Sequence, residues 1–308
     1  MAAAPVTNRS AKRSRRNKGF QLTAASVLTL AAVLPWPAAA DEAPPARGAY
    51  LAAAAGCDGC HTDAKNGGAP FAGGRAMATE FGTITTPNIT PDVTGIGGWS
   101  LADFTRAMRW GIAPDGTHYV TAFPFPYFAR MTDGDLTDLK AYLDSLTPVS
   151  PPDTGRADSL ALLARARDAI GTATATNFSG APATVSSDPR VTRGAYLVDS
   201  LGRCGECHTP RTWLGAPDPS RELAGSKGGI FQGKRAPNIT PDEKTGIGGW
   251  SEDDIVYLLK QGGTPDGDFI GGSMAEIVRN TKRLTDDDRR AIASYLKALP
   301  PKSFDKNN

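Results

Sequence analysis

Apolar and polar positions along the chain follow the period of an amphipathic helix in two sets of segments. The first set is GAYLAAAAG (48–56), LADFTRAMRW (101–110) and a segment after Thr132; the second is GAYLVDSLG (194–202), EDDIVYLLK (252–260) and a segment after Thr285. After Thr132, the residues Leu136, Leu139 and Leu143 fall at helical spacing. Thr132 and Thr285 each precede an acid by three residues, which favours a helix N-cap. The pattern predicts an all-α protein.

The two sets belong to an internal repeat that extends into the loops. Pro-Asn-Ile-Thr-Pro-Asp recurs at 87–92 and 237–242, and Gly-Ile-Gly-Gly-Trp-Ser at 95–100 and 246–251. The offset between copies drifts only from 146 to 153 residues, which indicates one duplicated domain. The predicted organisation is a signal peptide at 1–40, a first domain at 41–148, a linker at 149–188 and a second domain at 189–308. The linker is rich in Pro, Ser, Thr and Ala, apart from a helical pattern at 159–170.

The N-terminal segment has the three parts of an export signal. A basic region without acids precedes an apolar run from Phe20 to Leu34, and Ala38, Ala39 and Ala40 follow. A run of this length, ended by prolines, suits a cleaved signal better than a membrane anchor. We therefore expect a periplasmic protein, with an uncleaved anchor as the alternative.

Removal of residues 1–40 changes the charge balance. The chain has 34 Lys and Arg against 32 Asp and Glu, and six of the basic residues lie in the signal. The remaining 28 basic and 32 acidic residues give a net charge of −4. No basic stripe of the kind that binds nucleic acid is present in the sequence. We expect a soluble protein or one attached peripherally to a membrane.

All four cysteines lie in two copies of one short motif. The copies are CDGCH, with Cys57, Cys60 and His61, and CGECH, with Cys204, Cys207 and His208. Cys-x-x-Cys-His is the attachment signature of haem c, in which the thiols form thioethers and the histidine is placed to bind iron. A thioredoxin-like site would need a strand before the motif, and zinc would need a fourth ligand at each site. The sequence therefore predicts two covalently bound haem c groups.

With these motifs, the chain resembles the cytochrome c family, and in particular the dihaem cytochrome c subunits of periplasmic alcohol and aldehyde dehydrogenases. The resemblance covers residues 45–148 and 189–301 and implies two tandem cytochrome c domains joined by a linker. It implies that the carbonyls of Pro87 and Pro237 orient the proximal histidines. Trp99 and Trp250 are either donors to a haem propionate or core aromatic residues.

Met274 is the distal ligand that the resemblance implies for the second haem. It is expected to lie in a glycine-rich loop, GGSM, before the last helix. A thioether opposite histidine raises the reduction potential of the iron.

The distal ligand of the first haem has no methionine counterpart in the repeat. The repeat aligns Phe123 with Met274, and phenylalanine cannot bind iron. Met131 is the favoured substitute, His118 is the alternative, and an open iron is the third possibility. Met77 and Met108 are weaker candidates for this ligand. Met108 is part of a helical apolar pattern, and Met77 precedes the loop expected on the proximal side of the haem.

The function that follows is electron transfer. We expect electrons to pass from a periplasmic dehydrogenase, through both haems, to an oxidase or a small cytochrome. The competing interpretation is an enzyme, such as a peroxidase, whose first haem has an open coordination position. Nothing else in the sequence suggests a catalytic residue.

Overall fold

Helices form most of the regular structure in the part of the chain that the structure describes. The computed structural model describes residues 44–79, 82–119, 122–150, 186–212, 216–227 and 235–304. The helices of the first copy of the repeat are α1 (Pro44–Ala55), α2 (Cys57–Cys60), α3 (Leu101–Trp110), α4 (Phe125–Phe128) and α5 (Asp133–Asp144). Those of the second copy are α6 (Pro189–Tyr196), α7 (Cys204–His208), α8 (Glu252–Gln261), α9 (Gly272–Thr281) and α10 (Asp286–Ala298). The described residues belong to one compact unit.

The all-α prediction fits these elements, with one small exception in the first copy. Strands β1 (Ala76–Thr79) and β2 (Gly82–Thr85) form an antiparallel hairpin in which Ala76 lies opposite Thr85. The predicted signal peptide and most of the predicted linker, including 159–170, lie outside the described residues. The division into two haem domains stays a prediction.

The predicted helix starts are confirmed. Ser100 and Ser251 cap α3 and α8 and form complete capping boxes with the acids three residues later. The side chains of Thr132 and Thr285 likewise accept a backbone N–H at the start of α5 and α10. Met274 differs from the sequence expectation, because it lies in the first turn of α9 and not in a loop.

A π-helical turn accounts for the first change in the repeat offset. The second copy has one residue more than the first between the GAYL segment and its cysteine motif. In the first copy α1 runs regularly to Ala55, whereas in the second copy α6 is continued by a π-helical turn at Leu197–Leu201. A π-turn accommodates one extra residue in a helix without breaking it.

The glycine of each GAYL segment allows two helices to cross closely. Helix α1 packs on α5, and α6 packs on α10. A Cβ atom at Gly48 would lie 2.1 Å from the Asp138 carbonyl oxygen, and one at Gly194 would lie 1.9 Å from that of Ala291. Both glycines are therefore required by packing.

The tyrosine of each GAYL segment contacts the other copy of the repeat. The Tyr50 hydroxyl donates to the Asp288 carboxylate of α10 at 2.5 Å, and Arg193 of α6 pairs with the same carboxylate. In the reciprocal contact, the Tyr196 hydroxyl donates to Asp135 of α5. Arg47 of α1 pairs with that aspartate in turn. The two copies thus exchange equivalent contacts across one interface.

Asp199, in the π-helical turn, is a buried acid that makes stability depend on pH. It accepts a hydrogen bond from the Tyr295 hydroxyl at 2.7 Å, and burial raises its pKa to about 6. In unfolded chains the pKa of aspartate is about 3.9. Between these values the folded state binds more protons than the unfolded state, so this residue's contribution lowers stability as pH rises.

We therefore expect Asp199→Asn to become more stable relative to the unsubstituted protein as pH rises from about 4 to about 6. The relative gain in unfolding free energy is about 3 kcal/mol, because each unit of pKa shift corresponds to about 1.4 kcal/mol. Asparagine keeps an acceptor for Tyr295 and carries no charge. Urea unfolding of both proteins at a series of pH values measures this gain. A difference that stays constant with pH would contradict the assignment.

Candidate haem-attachment sites

Each Cys-x-x-Cys-His motif forms a short helical turn. In α2 and α7 the two cysteines of a motif are three residues apart, so they lie on the same side of the turn. All four cysteines are free thiols and half-buried. Burial raises the pKa of Cys57 and of Cys204 to about 12, so these thiols are neutral before attachment.

Each motif histidine is held by a backbone carbonyl on the loop that the family resemblance implied. The Nδ1 atom of His61 lies 2.8 Å from the Pro87 carbonyl oxygen, and that of His208 lies 2.8 Å from the Pro237 oxygen. Burial lowers the pKa of both histidines. A neutral imidazole that donates from Nδ1 leaves Nε2 free for a metal ion. The pairing with Pro87 and Pro237 is therefore the geometry of a proximal haem ligand.

In each copy of the repeat, one glycine brings the histidine and the proline together. Gly73 donates its N–H to the His61 carbonyl at 2.8 Å, and Gly225 donates to the His208 carbonyl at 2.7 Å. Gly73 has φ 76° and Gly225 has φ 94°, a region that favours glycine. A Cβ at Gly73 would also lie 2.5 Å from the Pro87 carbonyl carbon. The close approach of the two loops thus depends on glycine.

The Asn-Ile-Thr-Pro-Asp motif ties the proline loop to the end of its copy. The Asn88 amide donates to Thr94 and to the Val149 carbonyl, and its oxygen accepts from the Thr90 N–H. Asn238 makes the equivalent contacts, with the Lys302 carbonyl in place of that of Val149. These asparagines fix the loops that carry the proline carbonyls, a role that their recurrence in the sequence did not reveal.

Met274 and Cys204 line one pocket. The space that it encloses is partly open to solvent. Most of its other lining residues are apolar, and they include Leu259, Ile277 and Leu284. The structure therefore brings the predicted distal ligand of the second haem to the cysteine that would attach it.

The two candidate ligands of the first site, and Phe123, lie in different environments. Met131 is 1% exposed and belongs to the hydrophobic core, whereas His118 is exposed. Phe123 is half-buried and packs against the rings of Tyr119 and Phe128, at centroid distances of 5.6 and 5.9 Å. The repeat partner of Met131 is Leu284, which lines the pocket beside Met274. By the repeat, Met131 is expected to lie beside the first haem.

The two tryptophans and the two other methionines pack within the fold. Trp99 and Trp250 are half-buried and pack against the hydrophobic core. Met108 is buried in α3, and Met77 pairs with Ile84 in the β-hairpin. The contacts of Trp99 and Trp250 are compatible both with donors to a haem propionate and with core aromatic residues.

Arg203, which the sequence analysis did not single out, lies between the two motifs. Its guanidinium pairs with Glu206 at 3.0 Å and donates to the Ala55 carbonyl at 3.3 Å. It also lies over the Phe128 ring, 5.7 Å from the centroid, within the range of a cation–π contact. The only sign of this role in the sequence is that an arginine directly precedes the second cysteine motif.

These features fit haem c. Each site offers a pair of free thiols on one helical turn and a neutral, oriented imidazole, and the pocket at Cys204 also offers a thioether and apolar walls. These are the donor types that hold iron in cytochromes c. Within the described residues, no group of three or more His, Cys, Asp and Glu side chains forms a site for a free metal ion.

Comparison with known proteins defines the class of protein. A cytochrome c family model matches residues 45–147. A "Diheme cytochrome c-type" protein of Cereibacter sphaeroides is 43% identical over 261 residues, which cover 82% of this chain and 85% of that protein. The chain belongs to the dihaem cytochrome c family. It is thus a cytochrome with covalently bound haem c, and its function is electron transfer.

Other relatives are subunits of dehydrogenases. The fructose dehydrogenase cytochrome subunit of Gluconobacter japonicus is 39% identical over 274 residues, and the alignment covers 87% of this chain and 55% of that subunit. The cytochrome c subunit of the quinone alcohol dehydrogenase of Gluconobacter oxydans is 38% identical over 279 residues, covering 87% and 57%. The chain therefore spans little more than half the length of these two subunits.

Proposed function

We propose that this protein is a periplasmic dihaem cytochrome that carries electrons from a dehydrogenase to a downstream acceptor. The observation that carries the proposal is the occurrence of two cysteine motifs, each with its histidine oriented by a proline carbonyl at 2.8 Å. The dehydrogenase subunits among its relatives support a dehydrogenase as the donor. An oxidase or a small cytochrome is the proposed acceptor.

The export-signal pattern at residues 1–40 supports the periplasmic location and a cleaved signal peptide. Peripheral association with a membrane is part of the same proposal. None of the helices within the described ranges combines the length and the apolar character needed to cross a bilayer.

The proposed attachment residues are Cys57 and Cys60 for the first haem, and Cys204 and Cys207 for the second. When bound, haem supplies a one-electron iron couple. The chain attaches it through the thiols, orients His61 and His208 from the proline carbonyls, and surrounds the Cys204 pocket with apolar side chains. Burial of this kind limits access of water and so helps to set the potential.

Purification of the exported protein and a count of its haems test the proposal. We expect two haems per chain, and reversible reduction of both by a partner dehydrogenase in the presence of that enzyme's substrate. The proposal fails if only one haem is attached, or if the dehydrogenase reduces neither haem. Peroxide turnover measured on the same sample tests the enzymatic alternative.

Met131 is the proposed distal ligand of the first haem. Its complete burial and the position of its repeat partner beside Met274 support this assignment over the exposed His118. We expect Met131→Ala to remove one of two His/Met signals from the near-infrared magnetic circular dichroism spectrum of the ferric protein. Met108→Ala, which shortens another buried methionine, is the control and is expected to keep both signals.

A second candidate function is catalysis at a first haem without a protein ligand on the distal side. The observation that favours it is Phe123, which stands where the repeat places the methionine of the second copy. In that case the unsubstituted protein shows one high-spin haem, and Met131→Ala leaves the spectrum unchanged. A bis-histidine signal that is lost in His118→Ala would instead assign His118 as the ligand.

A further inference from the structure

The residues that directly precede the two cysteine motifs share a backbone conformation and differ in their side chains. Gly56 has φ 66° and Arg203 has φ 51°. This left-handed region favours glycine, and a larger residue there is strained. Residues held in such a conformation concentrate at functional positions. The second copy thus keeps a large charged side chain where the first copy has the residue that the backbone favours.

The side chain of Arg203 reaches the first motif. Its Nη2 atom donates to the carbonyl of Ala55, which lies two residues before Cys57. A Cβ atom at Gly56 would lie 3.5 Å from this Nη2 atom and 2.6 Å from the Asn280 amide nitrogen. Glycine at position 56 therefore avoids a clash with Asn280, and the Arg203 guanidinium lies within van der Waals distance of this position.

The positive charge of Arg203 lies close to both motifs. Arg203 directly precedes Cys204, and its Nη2 atom lies 3.3 Å from the carbonyl oxygen of Ala55, two residues before Cys57. The side chain is 11% exposed, so water screens the charge weakly. An arginine stays protonated throughout the working pH range.

The ion pair between Arg203 and Glu206 is only partly hydrogen-bonded. Glu206 is the paired carboxylate, and only its Oε2 atom accepts from Arg203. The buried Nε atom of Arg203 and the Oε1 atom of Glu206 have no hydrogen-bond partner among the described residues. The other ion pairs that join the two copies near the first motif, Arg75–Glu276 and Arg283–Asp58, are more exposed.

We propose that the Arg203 guanidinium is a fixed positive charge shared by both haem sites, and that it raises the reduction potential of both haems. A fixed positive charge nearby favours the reduced iron, which carries one positive charge less. This inference rests on the proposed function, because it requires a haem at each motif.

Three variants isolate the charge of Arg203 from that of its partner. Glu206→Gln leaves the arginine without a carboxylate, Arg203→Gln with Glu206→Gln removes both charges, and Arg203→Lys with Glu206→Gln restores the positive charge. Spectroelectrochemical titration measures the potentials of both haems in each. We expect both potentials to be lower in the neutral double variant than in Glu206→Gln, by about tenfold in the electron-binding equilibrium, or about 59 mV for a one-electron couple. The lysine variant is expected to stay close to Glu206→Gln.

Equal potentials in Glu206→Gln and the neutral double variant would overturn the proposal, and so would a shift confined to the second haem. Arg290→Gln is the control, since the ion pair of Arg290 with Asp253 is exposed to water, which screens its charges. It is expected to leave both potentials unchanged. If the neutral variant does not mature, Glu206→Leu and Arg203→Met with Glu206→Leu provide the same comparison with apolar side chains. The haem count of each variant separates this proposal from the proposed function, which fails when fewer than two haems are attached to the unsubstituted chain.

Discussion

Met274→Ala is expected to lower the potential of one haem on the order of 0.1 V or more, since axial ligands set haem potentials over a range of about 0.8 V. The haem itself is expected to stay attached, because Cys204, Cys207 and His208 are unchanged. Loss of the thioether removes a ligand that favours reduced iron. Spectroelectrochemical titration measures the drop, and the ferric spectrum is expected to lose one His/Met signal.

Met77→Ala is the matched control for this substitution. Met77 lies in the β-hairpin opposite Ile84, and its replacement is expected to leave both potentials unchanged. If the Met274 variant kept both potentials of the unsubstituted protein, the thioether would not be an iron ligand and the pocket beside Cys204 would need another explanation.

Gly194→Ala is expected to destabilise the protein by about 3 kcal/mol, at the upper end of the usual cost of overpacking. The added Cβ would lie 1.9 Å from the Ala291 carbonyl oxygen and 2.6 Å from the Tyr295 Cβ atom. Because the first of these is a backbone atom, α6 and α10 must separate to make room. Thermal unfolding followed by circular dichroism is expected to show a melting temperature lower by roughly 10 °C.

Gly98→Ala is the control for this helix crossing. A Cβ atom at Gly98 meets nothing within 4 Å, so this substitution is expected to leave the melting temperature nearly unchanged. Equal melting temperatures for the two variants would show that α6 and α10 tolerate a wider separation than the structure indicates.

The helices and the local chemistry of the sites could be predicted from the sequence, because both depend on residues close together in the chain. The caps at Ser100 and Thr285 follow from short-range hydrogen bonds, and the structure confirms them. The histidine–proline pairs were anticipated only through a family resemblance, since 26 and 29 residues separate their partners. Spacing alone does not reveal such loop contacts.

What the sequence did not show depends on packing between distant segments. The helical position of Met274 was missed, because GGSM has the composition of a loop while Gly271 precedes the first turn of α9. The position of Arg203 between the motifs was missed for a related reason. It depends on the contact of Ala55 with a side chain 148 residues away, which no local pattern encodes.

The reciprocal contacts of Tyr50 and Tyr196 have the arrangement of a symmetric homodimer, in which the same surface is used by both partners. In a dimer of identical chains, every residue at the symmetry axis faces its own copy. Two arginines at the positions of Gly56 and Arg203 would then lie close together and repel each other. Fusion of both copies into one chain removes that restriction, so one copy can keep glycine while the other carries the charge. Covalent duplication thus allows an asymmetry at the centre of the interface that no homodimer could have.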